Sequence, residues 1–169
     1  VRSRNTMRNA FTVELDGLLL HGTSHLVSNG RDIGILFLNS GTLPRSSRGD
    51  LYAHLADSLA EQGYKCFRVD LPGLGDSQGE TPGEYIDFYK LVQNGAYAGD
   101  VIRLMQELRP KYGLIGIILM GICGGAQTSV FAAAREHNDD VAGLVLLDMP
   151  FFLYHDSNSS TQKDAGLDE

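Results

Sequence analysis

The chain has 169 residues, 21 acidic and 14 basic, for a formal net charge of -7, with 43% hydrophobic and 21% charged residues. That composition suits one globular domain with a sizeable core, and it argues against nucleic acid or an anionic membrane surface as a partner. No apolar run approaches bilayer-spanning length, the opening VRSRNTMRNA lacks the apolar core of a secretory signal, and Cys66 and Cys123 make no disulfide framework. A reducing cytoplasm is the expected setting.

In chain order, residues 1–9 are basic and polar and read as a loose arm. Phe11, Val13 and Leu15 alternate with polar neighbours, Asp16-Gly17 is a hairpin signal, and Leu18, Leu20, Gly22, Ser24 and Leu26 resume the period of two. Two antiparallel strands are expected there, with His21 and His25 on the solvated face. Residues 33–38 read as a short buried strand. Leu51, Leu55 and Leu59, widened by Tyr52, Ala56 and Ala60, predict a helix capped by Gly63, with His54 at its surface.

Residues 64–69 read as the next strand, followed by the glycine-rich loop 70–77. As a phosphate cradle that loop is weak, because its spacing fits neither the dinucleotide fingerprint nor a P-loop. An aromatic cluster, Tyr85, Phe88, Tyr89 and Tyr97, lies in a stretch without clear periodicity. A helix is expected over 100–108, ended by Pro110, and residues 141–147 form another buried strand before Asp148-Met149-Pro150. Strands alternating with helices predict an α/β fold: a doubly wound, mostly parallel sheet with helices on both faces and an N-terminal antiparallel hairpin. In such sheets ligands collect at the carboxyl ends of the strands, where loops 39–47, 70–78 and 121–125 would meet.

Chemistry concentrates at residues 117–134. The apolar run 117–120 turns sharply into a helical segment through Gly121-Ile122-Cys123-Gly124-Gly125, the spacing of a nucleophile elbow with cysteine in the serine position. A helix N-terminus favours a thiolate, and the Gly124 N–H points where an oxyanion would form. The bland alternative is a buried structural cysteine beside an ordinary glycine-rich turn.

The segments LFLNSGTLPRSSRGDLYAHLADSLAEQGYKCFRVDLPGLGDSQGE, ILMGICGGAQTSVFAAA and VAGLVLLDMP together resemble the α/β-hydrolase superfamily over about residues 10–153. Its most specific part is the loop matching Asp-x-x-Gly-x-Gly-x-Ser. Within the superfamily the likeness is to bacterial, serine aminopeptidase-like hydrolases associated with exosortase systems, which carry cysteine at the elbow. The resemblance implies Cys123 as nucleophile, an oxyanion hole from Gly124 together with Gly41 and Thr42, a small-molecule acyl substrate, and no cofactor or metal. It also implies an acid and a histidine late in the chain. Only His137 and His155 follow Cys123; His137 closes the elbow helix, and no complete triad is visible. Ser40-Gly41 stands where the family has His-Gly.

Residues 10–155 are therefore expected to be a hydrolase core that lacks its last strands, and 156–169 a polar tail or the start of a missing cap. Self-association through an exposed sheet edge would follow. Two other readings stay open. Gly121 to Gln127 also resembles the cysteine elbow of class I glutamine amidotransferases, although the Pro-Gly-Gly strand and the His-x-Glu pair of those enzymes are absent. A hydrolase-like binding module without catalysis is the second.

Overall fold

The computed structural model of the chain describes residues 6–135 and 140–150. A six-stranded mixed sheet runs in the order β1-β2-β4-β3-β5-β6, from β1 (Thr6–Leu15), β2 (Leu18–Val27), β3 (Ile33–Leu38), β4 (Lys65–Val69), β5 (Gly116–Ile122) and β6 (Val141–Leu147). β1, β2 and β4 pair antiparallel, whereas β4, β3, β5 and β6 are mutually parallel. The expected class, a mostly parallel sheet opened by a hairpin, is what forms. Asp16 and Gly17 both take positive φ in the hairpin turn, so the two strands pair from Leu15 with Leu18 out to Thr6 with Val27.

Helix α1 (Leu51–Glu61) covers one face, packing Tyr52 and Ala56 on Ile35, Phe37, Cys66 and Met120. Helices α3 (Ala98–Tyr112) and α4 (Gly124–Arg135) cover the other, where Val101, Leu104, Met105, Leu108 and Ala132 meet Leu36, Leu38, Phe67, Ile117 and Leu119. The uncertain aromatic stretch contains α2 (Tyr85–Gln93), which buries Phe88 and Val92 beside α4. No helix among the described residues is long and apolar enough to cross a membrane.

The strand at 141–147, expected to be buried, forms as β6 but has no buried residue, because no described strand or helix covers its outer side; three further local expectations change. Residues 6–9, read as part of a loose arm, are the first turn-distal pairs of β1, held against residues 24–27; residues 1–5 lie outside the described residues. Pro110 does not end α3. It sits in the last turn, where its missing N–H costs one helical bond, and the helix closes at Gly113 in the left-handed region.

His25 is the third of these, because it is buried at 1% exposure rather than solvated. Helix α1, which carries Asp57, and the Arg68 side chain of the neighbouring β4 cover that face: Arg68 Nε donates to His25 Nε2 at 3.0 Å while Nδ1 faces Asp57 Oδ1 at 2.7 Å. Since Nε2 must accept, the ring is neutral with its proton on Nδ1. Burial, ahead of the opposing hydrogen bond to Asp57, pushes the His25 pKa below its ordinary value. The unfolded chain then binds a proton that the folded chain refuses, so stability falls as pH drops below about 6.5. Asp57 stays ionised across that window: the Arg8 hydrogen bond, joined by that of His25, holds its pKa down at about 2. Urea midpoints between about pH 7 and about pH 5 should therefore decline in the parent and flatten in His25→Gln. Equal slopes would count against this assignment.

Candidate active site

The sharp turn sits between β5 and α4, at the carboxyl end of a strand flanked by β3 and β6. Cys123 has φ +55, a left-handed conformation that a side chain adopts only under constraint. The constraint is visible in the backbone bonds. Cys123 N–H donates to the Leu147 carbonyl at 3.0 Å, Ile122 N–H donates to Tyr52 Oη at 2.8 Å, and the Cys123 carbonyl accepts from Ala126 and Gln127.

Glycine is required on both sides of the turn. A methyl at Gly121 would stand 2.1 Å from the Gly125 carbonyl carbon, and one at Gly125 would stand 2.6 Å from the Leu38 oxygen. The helix is thereby drawn onto the ends of β3 and β5, with Gly124 in its first turn, where N–H groups lack intrahelical partners.

The loop after β3 arrives at the same place. Leu43 N–H donates to the Ser40 carbonyl at 3.3 Å, making Gly41 (φ +63) and Thr42 the central residues of a turn. A methyl built on Gly124 would lie 3.5 Å from both the Gly41 nitrogen and its Cα. Cys123, Gly124 and Gly41 are thus brought together, and Thr42 follows in the same turn.

What holds that loop is the glycine-rich segment 70–77. Asp70 is fully buried, and its carboxylate accepts from Asn39 Nδ2 (2.9 Å), the Arg45 N–H and the Arg45 guanidinium, and the Asp76 N–H. Asn39 Oδ1 in turn accepts from Leu71 N–H at 3.0 Å. Gly75 has to be bare, since a Cβ there would lie 2.2 Å from Asp70 Oδ2. Ser77 Oγ donates to the Asp70 carbonyl at 2.6 Å and accepts from His21 N–H at 2.9 Å. The signature loop is therefore a fastening between β2, β4 and the loop after β3, and its carboxylate is spent on internal donors.

Sequence reasoning missed the neighbour of the sulfur. Tyr89 Oη lies 3.5 Å from Cys123 Sγ, and Tyr85 Oη donates to Tyr89 Oη at 3.2 Å. The hydrogen bond to Cys123, followed by that to Tyr85, pushes the Tyr89 pKa up, so its hydroxyl is protonated at neutral pH. The available signal was the pair of tyrosines four residues apart, which share a helix face. Cys66, by contrast, is fully buried beneath α1, and burial pushes its thiol up to about 12.

No triad is assembled among the described residues. His137 and His155 lie outside them. Asp148, exposed and at φ +48, directly follows the Leu147 carbonyl that receives the Cys123 N–H. The Asp57–His25 pair is no substitute, because Arg68 occupies the ring's other nitrogen. A polar cleft of about 390 Å3, lined among others by Arg8, Arg45, His54 and Arg68, shares no lining residue with the Cys123 turn. No group of three metal-ligating side chains exists among the described residues.

A family model described as alpha/beta hydrolase fold matches residues 35–166. Among solved structures the chain is similar to an epoxide hydrolase from Vigna radiata, at 22% identity and TM-score 0.63, covering 86% of this chain and 41% of that one. It is likewise similar to an esterase from Pyrococcus furiosus, at 18% identity and TM-score 0.68, covering 89% and 53%. An N-acyl homoserine lactonase aligns at 19% identity and TM-score 0.62, covering 84% and 46%. The chain therefore spans about half or less of the length of these proteins, and identities this low speak for the fold. No curated protein sequence matches.

Proposed function

The chain belongs to the alpha/beta hydrolase fold family, and on that premise we propose that it acts on an ester, thioester or amide acyl group through Cys123 as nucleophile. The observation that carries this reading is the strained turn: a partly exposed cysteine at φ +55, clamped between two sterically required glycines at the head of a helix. A structural cysteine would gain nothing from that conformation, and Cys66 shows what the buried alternative looks like.

In the proposed reaction Cys123 Sγ attacks the acyl carbon and forms a thioester, which water then hydrolyses. The developing oxyanion is received by the N–H of Gly124, with the turn at Gly41 and Thr42 supplying the second donor. We read residues 10–155 as the hydrolase core. The outer edge of β6 is proposed as a contact with a second copy of the chain.

Para-nitrophenyl esters of short acids test the nucleophile. The parent should form an acyl-enzyme at Cys123, detected by intact mass, and Cys123→Ala should lose it along with all ester cleavage above the solution rate. Iodoacetamide should label Cys123 and spare Cys66. Preferential labelling of Cys66, or ester cleavage that survives Cys123→Ala, would overturn the assignment; ammonia release from glutamine that depends on Cys123 would point to amidotransfer instead.

A further inference from the structure

We propose that the Tyr89 hydroxyl is the catalytic proton shuttle between Cys123 and the leaving group, with Tyr85 as its positioning partner; the inference rests on Cys123 being the nucleophile. Tyr89 Oη, 3.5 Å away, is the hydrogen-bond partner that the sulfur has among the described residues. Both tyrosines stand on α2, one turn apart, with ring centroids 4.8 Å from each other, and Phe88 and Val92 anchor that helix in the core. Tyr85 is 62% exposed, so the relay reaches solvent at its outer end. Because the Tyr85 hydroxyl donates to the Tyr89 oxygen, the proton of Tyr89 is left for the sulfur or for a group bonded to it.

The other polar and titratable neighbours have separate employment. Tyr52, behind the turn, accepts the Ile122 N–H, and burial pushes its pKa up to about 12. Asp87 and Lys90 pair with each other at 3.3 Å on α2. Asp148 is exposed beyond the end of β6.

The acylation step then balances without a free tyrosinate. Cys123 Sγ bonds to the acyl carbon while the carbonyl π pair moves onto oxygen. As that pair returns, the bond from carbon to the leaving oxygen breaks, and the leaving oxygen takes the Tyr89 hydroxyl proton. The thiol proton passes to the Tyr89 oxygen. Tyrosine finishes neutral with the former thiol proton, the released alcohol carries the proton that Tyr89 gave up, and the enzyme holds a thioester. General acid and base steps of this kind are worth about a hundredfold or more in rate when the leaving group needs a proton, and little when it does not.

The test compares single-turnover acylation of the full chain by phenyl acetate and by para-nitrophenyl acetate, read as released phenol and as mass added to Cys123. Tyr89→Phe should slow the phenyl ester by about tenfold or more and the nitrophenyl ester by less than about threefold, because nitrophenolate leaves without a proton. Tyr85→Phe should act in the same direction with a smaller effect. Resistance of Cys66 to iodoacetamide reports that each variant remains folded. Equal slowing of both esters, or none, would overturn the shuttle while leaving the nucleophile in place. Failure of both esters to acylate Cys123 in the parent would overturn the nucleophile reading and the shuttle with it.

Discussion

Gly121→Ala should abolish stable folding of the parallel half of the sheet, with an expected loss of about 4 kcal/mol or more, against total stabilities of about 5–15 kcal/mol for ordinary domains. The new Cβ would lie 2.1 Å from the Gly125 carbon, 2.3 Å from its oxygen and 2.4 Å from the Ala126 nitrogen. All three atoms are backbone, so no side-chain rotation relieves the clash. Either α4 lifts off the sheet or β5 loses its register with β3 and β6. Gly83→Ala is the matched control, since nothing lies within 4 Å of its Cβ position. Urea denaturation followed by far-ultraviolet dichroism should show the control within about 0.5 kcal/mol of the parent. A Gly121→Ala chain with the parent's midpoint would mean that the turn is not built as described.

The second large effect is expected on the neighbouring strand, at the edge of the sheet. β6 pairs with β5 on one side, and no described strand pairs with its other side. Leu144, Val145, Leu146 and Leu147 are 36–40% exposed there. Leu144 and Leu146 point to one face and Val145 and Leu147 to the other, so the strand is apolar on both faces and carries free backbone donors and acceptors. Sedimentation should show concentration-dependent association of the 169-residue chain. Val145→Lys combined with Leu146→Lys should weaken it by about tenfold or more, since a charge on each face must be desolvated for strands to meet edge to edge. A parent that stays monomeric at all concentrations, or a doubly substituted chain that associates as tightly, would exclude this edge as the contact.

The elements that were legible in the sequence are those whose signals are local. Asp16-Gly17 between alternating runs specified the hairpin, and Leu51, Leu55 and Leu59 specified α1. The turn at Cys123 was legible too, because its steric demand is written as two glycines around one residue. What was not legible depends on which segments meet. Burial of His25 follows from Arg68, on a strand some forty residues later in the chain, and from α1, which brings Asp57 onto the same face of the sheet. Pro110 looked like a stop because a proline's cost is local, whereas the turn beyond it is held by Leu114 N–H donating to the Arg109 carbonyl. Tyr89 could be counted among aromatics but not placed, since its approach to the sulfur is set by how α2 lies across α4.

Asp70 and its partners divide the labour of the loop after β3. Asn39 and Arg45 are tied down from behind by the buried carboxylate, and the residues between them are held through their backbone, with Asn39 Nδ2 donating to the Leu43 carbonyl and Leu43 N–H to the Ser40 carbonyl. A loop fastened through its backbone can exchange its central side chains while its backbone keeps the same path. Variation in what such a site accepts is thereby uncoupled from the stability of the sheet beneath it: substitutions at Thr42 or Leu43 can be sampled freely, whereas a change at Asn39, Arg45, Asp70 or Gly75 puts the whole assembly at risk. Inherited diversity at this rim should accordingly run through three or four consecutive positions and stop abruptly at the two anchors.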